Sequence, residues 1–271
     1  DPAAAADYLP GIAAGETIAT LAVAEDDGRW DPATASCTAT AHRDGWRVNG
    51  AKMFVLDGAS ADLVLMTART PAGISLFAVY GTASGLSRVP LATLDQTRKQ
   101  ARLEFRDVPA RLVGTEGGAA PIVSDVLDLA AVALAAEQVG GAARVLDMAV
   151  EYAKVRVQFG RRIGSFQAVK HKCADLLIEV ESARSAAYYA MWSAAERRLD
   201  LPLVASLAKA YCADAFCHAA AENIQIHGGI GFTWEHPAHL YFKRAKASQA
   251  MFGTSAHHLA LMAKRLQPVA R

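Results

Sequence analysis

Apolar and polar positions along the chain fall into two textures. Over residues 16–108 short apolar runs alternate with polar residues: Thr17–Val23, Trp46–Val55, Asp62–Thr67, Ile74–Val79 and Ala101–Phe105. Gly, Asp and Pro punctuate them, as at Asp44-Gly45, Asn49-Gly50 and Asp57-Gly58. Period-two runs bounded by turn residues predict antiparallel strands in a small barrel or sandwich. Asn49-Gly50, between Trp46–Val48 and Lys52–Phe54, predicts a tight hairpin. From about Ala119 onward Ala, Leu, Glu, Lys and Arg dominate, and apolar positions recur at three and four. That spacing predicts helices over 120–155, 167–197, 202–226 and 237–268. Gly160 and Gly164 separate the first from the second, Leu201-Pro202 opens the third and Gly228-Gly229 closes it. The fold class is therefore α+β: a small antiparallel β-barrel or sandwich followed by an antiparallel four-helix bundle. The expected organisation is a remnant of an N-terminal helical region or linker over 1–15, a middle β domain over 16–118 and a C-terminal four-helix domain over 119–271.

Composition narrows the function. Lys+Arg 28 against Asp+Glu 27 gives a net charge of +1. No basic field is present to draw in nucleic acid or a membrane surface. The longest apolar run, Leu129–Ala136, is too short to span a bilayer. Cys37, Cys173, Cys212 and Cys217 form no CxxC pair and read as buried or half-buried free thiols, which fits a reducing cytoplasm. The first residue is Asp1, no signal segment precedes it, and Asp1–Gly15 reads as mid-protein sequence with an upstream portion expected.

Two clusters carry candidate chemistry. Gly228, Gly229 and Gly231 follow the third helix. Glycines let a backbone approach a ligand and expose N–H groups to a phosphate, although a helix C-cap explains two glycines about as well. The second cluster is Arg156-Val157-Gln158-Phe159-Gly160 with Ile163-Gly164-Ser165-Phe166-Gln167. Its arginine offers donors to a phosphate, its glutamines can read an amide or ring edge, and its phenyl rings give a stacking face. The competing structural reading is an arginine at a helix C-terminus beside core phenylalanines. His236 and His239 flank Pro237 without an evident third metal ligand and read as solvated histidines at a helix start. His257-His258 reads as one exposed and one packed residue.

Taken together, 156–167, 171–184, 225–237 (QIHGGIGFTWEHP) and Phe252-Gly253-Thr254 resemble the acyl-CoA dehydrogenase family. Residues 46–69 are similar to its middle-domain hairpin and following strand. The resemblance runs from about residue 10 to 265 and covers the middle β domain and the C-terminal helical domain. It implies FAD as cofactor, an acyl-CoA thioester as substrate and electron-transfer flavoprotein as acceptor. A glutamate removes the α-proton while the flavin accepts the β-hydrogen as hydride. By the same resemblance Arg156, Gln158, Phe166 and Gln167, with Gln225, Gly228 and Gly229, match positions that grip the ADP part of a neighbouring subunit's FAD. Phe159 matches a position packed beside it, and Thr254 one that touches the subunit's own FAD.

The departures from the family pattern matter as much. The usual Glu-Gly-Thr triplet is Phe252-Gly253-Thr254, and phenylalanine accepts no proton. The alternative base context, Asp-Leu-Glu-Arg, is Asp128-Leu129-Ala130-Ala131. The flavin-facing Thr-Glu-Pro segment is Ala24–Asp31, and Trp-Ile-Thr is Phe54-Val55-Leu56. The expectation is the base-lacking subunit of a heterotetramer, two chains of each kind, resembling actinobacterial enzymes acting on steroid side-chain CoA esters. A homologous partner would supply the glutamate and the flavin bed. The alternatives are a self-sufficient dehydrogenase with a displaced base, Glu137 or Glu235, and a non-enzymatic acyl-CoA-binding scaffold.

Overall fold

The structure, a computed structural model, describes residues 1–266. It divides into two compact units, Asp1–Val126 and the remainder from Leu127.

The first unit opens with α1 (Pro2–Ala13), capped by the Asp1 carboxylate on the N–H groups of Ala3 and Ala4. Its strands are β1 (Ala19–Ala22), β2 (Thr38–His42), β3 (Gly45–Leu56), β4 (Leu63–Thr70), β5 (Gly73–Tyr80), β6 (Leu86–Pro90) and β7 (Gln100–Val113). Strands β2, β3, β7, β5 and β4 pair in a closed ring, with β1 added on β4 and β6 on β7. A closed ring leaves no long open edge. Alternate residues point inward, so Val48, Met66, Phe77, Leu103, Phe105 and Val108 share one core. Trp46 packs on it, its ring 5.3 Å from that of Phe77.

Three details differ from the sequence expectation. Most pairings are antiparallel, but β1 runs parallel to β4 in the register Ala19↔Leu63 to Ala22↔Met66. The irregular stretch between β1 and β2 frees β1 from any hairpin, so either direction was open to it. Strands β2 and β6 were not anticipated. Asn49-Gly50 is no turn: it lies inside β3, and the hairpin closes instead through Arg43-Asp44, with His42 opposite Gly45. Gly50 sits at a register shift with φ 129°, and a Cβ there would lie 2.5 Å from Cys37 Sγ. Close approach and a bulge, not a turn, require this glycine.

One buried charge ties this barrel together. Lys52 is fully buried, and its Nζ donates to Val23 O (3.1 Å), Glu25 Oε1 (2.8 Å) and Thr67 Oγ1 (2.9 Å). Burial alone would raise the Glu25 pKa; donors from Lys52, Ser36 and Cys37 outweigh it and hold the carboxyl at about 2.

The helical unit continues α2 (Ala119–Val155) and adds α3 (Gln167–Ala195), α4 (Leu201–His227), α5 (Ala238–Ala250) and α6 (Ser255–Leu266). The expected fourth helix, 237–268, is two helices, α5 and α6, parted at Met251–Thr254; its last two residues lie outside the described residues. Helix α4 is the central element, apolar almost all round, packed on α3, α5 and α6. Alanines let the helices approach closely: Ala183, Ala187 and Ala190 of α3 meet Ala205, Ala208 and Cys212 of α4 in one cluster. Gly141 of α2 makes room for the Phe216 ring, which would stand 2.4 Å from a Cβ. By length and composition α2 could cross a membrane, which the short run Leu129–Ala136 does not reveal. Here Val132, Ala135, Val139, Ala142, Val145 and Leu146 are buried in the helical core. Cys37, Cys212 and Cys217 are buried and Cys173 is half-buried, all as free thiols.

Glu25→Gln leaves the Lys52 ammonium buried beside a neutral amide, and a loss of about 3–5 kcal/mol is expected in urea unfolding. Glu25→Gln with Lys52→Met should recover much of that loss. The Glu25 pKa is depressed, so its contribution is present above about pH 4.5 and lost as pH falls toward about 2. An acid titration in which wild type and the double variant lose stability in parallel would contradict this assignment.

Candidate functional site: an exposed cleft and a rigid turn

The polypeptide between α2 and α3 is not a simple corner. Val157–Gln158 (β8) and Arg161–Arg162 (β9) pair as a small hairpin whose tip is Phe159-Gly160. Both tip residues have positive φ, 53° and 76°. Paired positive φ values match a two-residue turn to the twist of its strands. Glycine adopts that conformation freely, whereas phenylalanine does so under strain. Phe159 is 91% exposed, and its ring stands edge to face with that of Phe166, centroid to centroid 6.2 Å. Core packing does not explain a strained phenyl that faces solvent.

Gln158, Phe159, Ile163, Phe166, Lys172 and Gln225 line a cleft of about 460 Å³. Its walls are aromatic and aliphatic and its polar ends are two amides and an ammonium. The Arg161 guanidinium lies 3.9 Å over the Phe166 ring and fixes it from one side. Gln167 is the first residue of α3, whose N-terminus has no side-chain cap. An uncapped helix start leaves N–H groups free for an anion. Arg156 is exposed, and its carbonyl accepts from Ile163 N (2.8 Å), holding the hairpin against the α2 end.

The three glycines after α4 have three different reasons. Gly228 caps α4 with φ 65°, its N–H returning to Gln225 O and Ile224 O. Gly231 is buried, and a Cβ there would meet Ile224 O and His227 Cβ at 3.0 Å. Gly229 has no positive φ and nothing within 4 Å of a Cβ. The fold does not require a glycine there, and its backbone is open to an approaching group. Below it His227 stacks between Tyr152 (4.2 Å) and His236 (4.3 Å). His236 accepts from Ala238 N at the start of α5, but His239 is buried against Trp234 rather than solvated as expected.

Thr254 belongs to a different feature, the turn Met251–Thr254. Its hydroxyl accepts from His257 N (3.3 Å) and its carbonyl from His258 N (3.1 Å), so it caps α6. The turn is rigid. Lys209 of α4, fully buried, donates to Ser248 O (3.1 Å), Gln249 O (2.9 Å) and Gly253 O (2.8 Å). Burial lowers its pKa to about 8 and nearby Asp214 opposes the shift. Burial also pushes His258 down to about 4; it is neutral, with its Nε2–H donating to Phe252 O (3.1 Å). Phe252 itself has φ 58°, and Gly253, at φ 108°, packs so closely on His257 that a Cβ would lie 2.4 Å from its ring. This support presents a phenyl group, not an acid. Sequence reading passed over Lys209, although a lone lysine inside the apolar run Leu207–Ala210 was the signal available.

Three of the other candidate carboxylates, Glu137, Asp128 and Glu25, are engaged. Glu137 pairs with Arg244 (3.5 Å). Asp128 takes a two-pronged bond from Arg265 (2.8 and 2.9 Å), while Ala131 beside it is buried. Glu235 is exposed on the loop before α5. In the first unit Glu25 is pinned by Lys52 and Ser36, and Leu56 offers only its carbonyl, to Thr20 Oγ1 (2.6 Å). Phe54 stands at φ 57° on the β3 irregularity between Lys52 and Val55.

A barrel of this topology, joined in sequence to a helical bundle with such a cleft, defines a class, and comparison with known proteins identifies it. The middle-domain model of acyl-CoA dehydrogenases matches residues 20–108, and the C-terminal-domain model matches residues 117–267. The chain belongs to the acyl-CoA dehydrogenase family. It is 43% identical over 197 residues to the acyl-CoA dehydrogenase IpdE2 of Mycobacterium tuberculosis, covering 72% of this chain and 54% of that protein. It thus spans about half the length of that relative. An acyl-CoA dehydrogenase of Bacillus subtilis is 31% identical over 269 residues, 96% of this chain and 71% of its own length. Butyryl-CoA dehydrogenase from Megasphaera elsdenii superimposes with TM-score 0.90 at 28% identity, over 96% of this chain and 70% of that one.

The glycine assignments are separable. Gly228→Ala should destabilise the chain by about 1 kcal/mol through its positive φ, and Gly229→Ala should stay within about 0.5 kcal/mol of wild type. Equal losses on thermal unfolding would refute the distinction.

Proposed function

We propose that this chain is the base-lacking subunit of a heteromeric, FAD-dependent acyl-CoA dehydrogenase. Its partner is a homologous subunit, in a heterotetramer with two chains of each kind, that supplies the catalytic glutamate and the flavin bed. One observation carries the reading: the Met251–Thr254 turn, held by Lys209 and His258, carries Phe252 at the position that by resemblance to the family would hold its proton acceptor. Glu137, the nearest substitute in sequence terms, is paired with Arg244, which weighs against a displaced base.

The residues present fit an adenine dinucleotide brought by a neighbour. Gln158, Phe159, Phe166 and Gln225 would hold the adenine in the cleft. Arg156, the uncapped start of α3 at Gln167 and the Gly228-Gly229 turn, whose backbone is open at Gly229, would hold the pyrophosphate. Bound FAD supplies hydride acceptance at its N5 as the acyl thioester is desaturated between Cα and Cβ. The substrate class is an acyl-CoA thioester, in agreement with the acyl-CoA dehydrogenase name of the mycobacterial relative, and the narrower reading is a steroid side-chain CoA ester. Electron-transfer flavoprotein is the proposed acceptor and the cytoplasm the proposed compartment. A pure scaffold has no use for an exposed Phe159 in a strained turn or for an unfilled Gly229.

The test is expression of the chain alone and with its genomic neighbour, followed by flavin absorbance and acyl-CoA-dependent dye reduction. The complex should hold flavin and turn over while the lone chain does neither. Robust turnover by the lone chain would sink the proposal, and a flavin-free complex would favour the scaffold. Arg156→Ala should strip FAD from the complex. Phe252→Glu should leave the lone chain inactive, because Leu56 and the Glu25–Asp31 loop are unchanged.

A further inference from the structure

Lys172 of α3 lines the same cleft as Gln158, Phe166 and Gln225, yet no role in the proposed chemistry has fallen to it. Its ammonium bonds the Glu222 carboxylate of α4, whose side chain is only 20% exposed, so the lysine is held at the cleft by a partner on another helix. Lys172 itself stays 45% exposed. Glu222 already neutralises its charge. A neutralised ammonium is a weak ligand for a phosphate and a good donor to an uncharged acceptor. The neighbouring polar groups are Gln158 and Gln225, and their amides have a property that matters here. An amide can flip, offering N–H₂ to one ligand and C=O to another. The glutamines therefore accept a purine with either an amino or an oxo group at C6. A lysine ammonium can only donate.

We infer that Lys172, positioned by Glu222, is the specificity-determining residue of the cleft. It selects an adenine ring by donating to the ring nitrogen N1 on its Watson–Crick edge. In hypoxanthine N1 carries a hydrogen, and two donors then oppose each other. The cleft's phenyl rings, Phe159 and Phe166, stand edge to face and would contact either purine, contributing affinity without discrimination. This inference rests on the reading that the cleft takes the adenine of an FAD.

The experiment uses the flavin-stripped heteromer and two probes, FAD and its deaminated analogue carrying hypoxanthine in place of adenine. Binding is read by flavin fluorescence quenching, independently of turnover. The wild-type complex should prefer FAD by about tenfold, the worth of one donor–acceptor pair against a donor–donor clash. Lys172→Met keeps the aliphatic stem, so the complex should still assemble. It should bind FAD more weakly and the analogue no more weakly than wild type, so that the roughly tenfold preference is erased. Glu222→Gln, which releases the lysine from its tether, should reduce the preference by a smaller factor. A Lys172→Met complex that keeps the full preference overturns the inference. If Arg156→Ala still strips FAD in that experiment, the clamp reading survives. If Arg156→Ala leaves FAD bound with unchanged affinity, the clamp reading itself has failed.

Discussion

The helical unit is organised by one buried ammonium. Lys209 sits in α4, the helix with the least solvent contact, and a lone cation there is costly unless acceptors surround it. The acceptors are carbonyls at the C-terminal end of α5, Ser248 O, which also accepts from Gln138 Nε2 (3.3 Å), and Gln249 O, with Gly253 O from the turn beyond. Each side solves the other's problem. The end of α5 is thereby fixed, α6 starts at a set position, and four residues between them take the one path that leaves those carbonyls on the lysine. Lys52 does the equivalent in the barrel with Val23 O, Thr67 and Glu25.

This arrangement separates backbone from side chain at position 252. Lys209 and His258 bond main-chain carbonyls only, so the support is indifferent to the side chain that Phe252 carries. An acid can be exchanged for a phenyl group without rebuilding the turn. A loss of chemistry at this point thus leaves the surrounding fold intact, which is the state a subunit would be in if it kept its structural and cofactor-holding roles and passed proton abstraction to a partner.

The apolar runs over 46–55, 62–67, 74–79 and 101–105 made the barrel legible, because at least one face of each strand is buried, and both faces in β4 and β5. Thr38–His42 has no strong apolar alternation and Leu86–Pro90 ends in proline, so β2 and β6 left little signal. Asn49-Gly50 misled because a turn-type dipeptide also serves a bulge, where Gly50 clears Cys37 and Asn49 Oδ1 accepts from Asp107 N. The apolar period of 237–268 does not falter at 251–254, so the break between α5 and α6 was hidden. Its determinants, Lys209 and His258, lie elsewhere in the sequence. Residue types and order pointed to the cleft residues, but their assembly was not readable. A hairpin of two-residue strands is below the length at which alternation is detectable, and the pairing of Lys172 with Glu222 depends on how α3 packs on α4.

Strain distinguishes the two phenylalanines of this unit that hold positive φ. Phe159 and Phe252 both hold positive φ, at a cost of order 1–3 kcal/mol each. At Phe252 the surroundings impose the conformation through Lys209 and His258. At Phe159 no comparable bonds act, and the hairpin would be relaxed by asparagine or glycine at its tip. The strain at Phe252 is therefore structural, a property of the turn whatever side chain it bears. The strain at Phe159 accompanies a ring turned out to solvent beside Phe166 and the cleft. Under the proposed function, an aromatic ring laid into the cleft is the contact that would offset it.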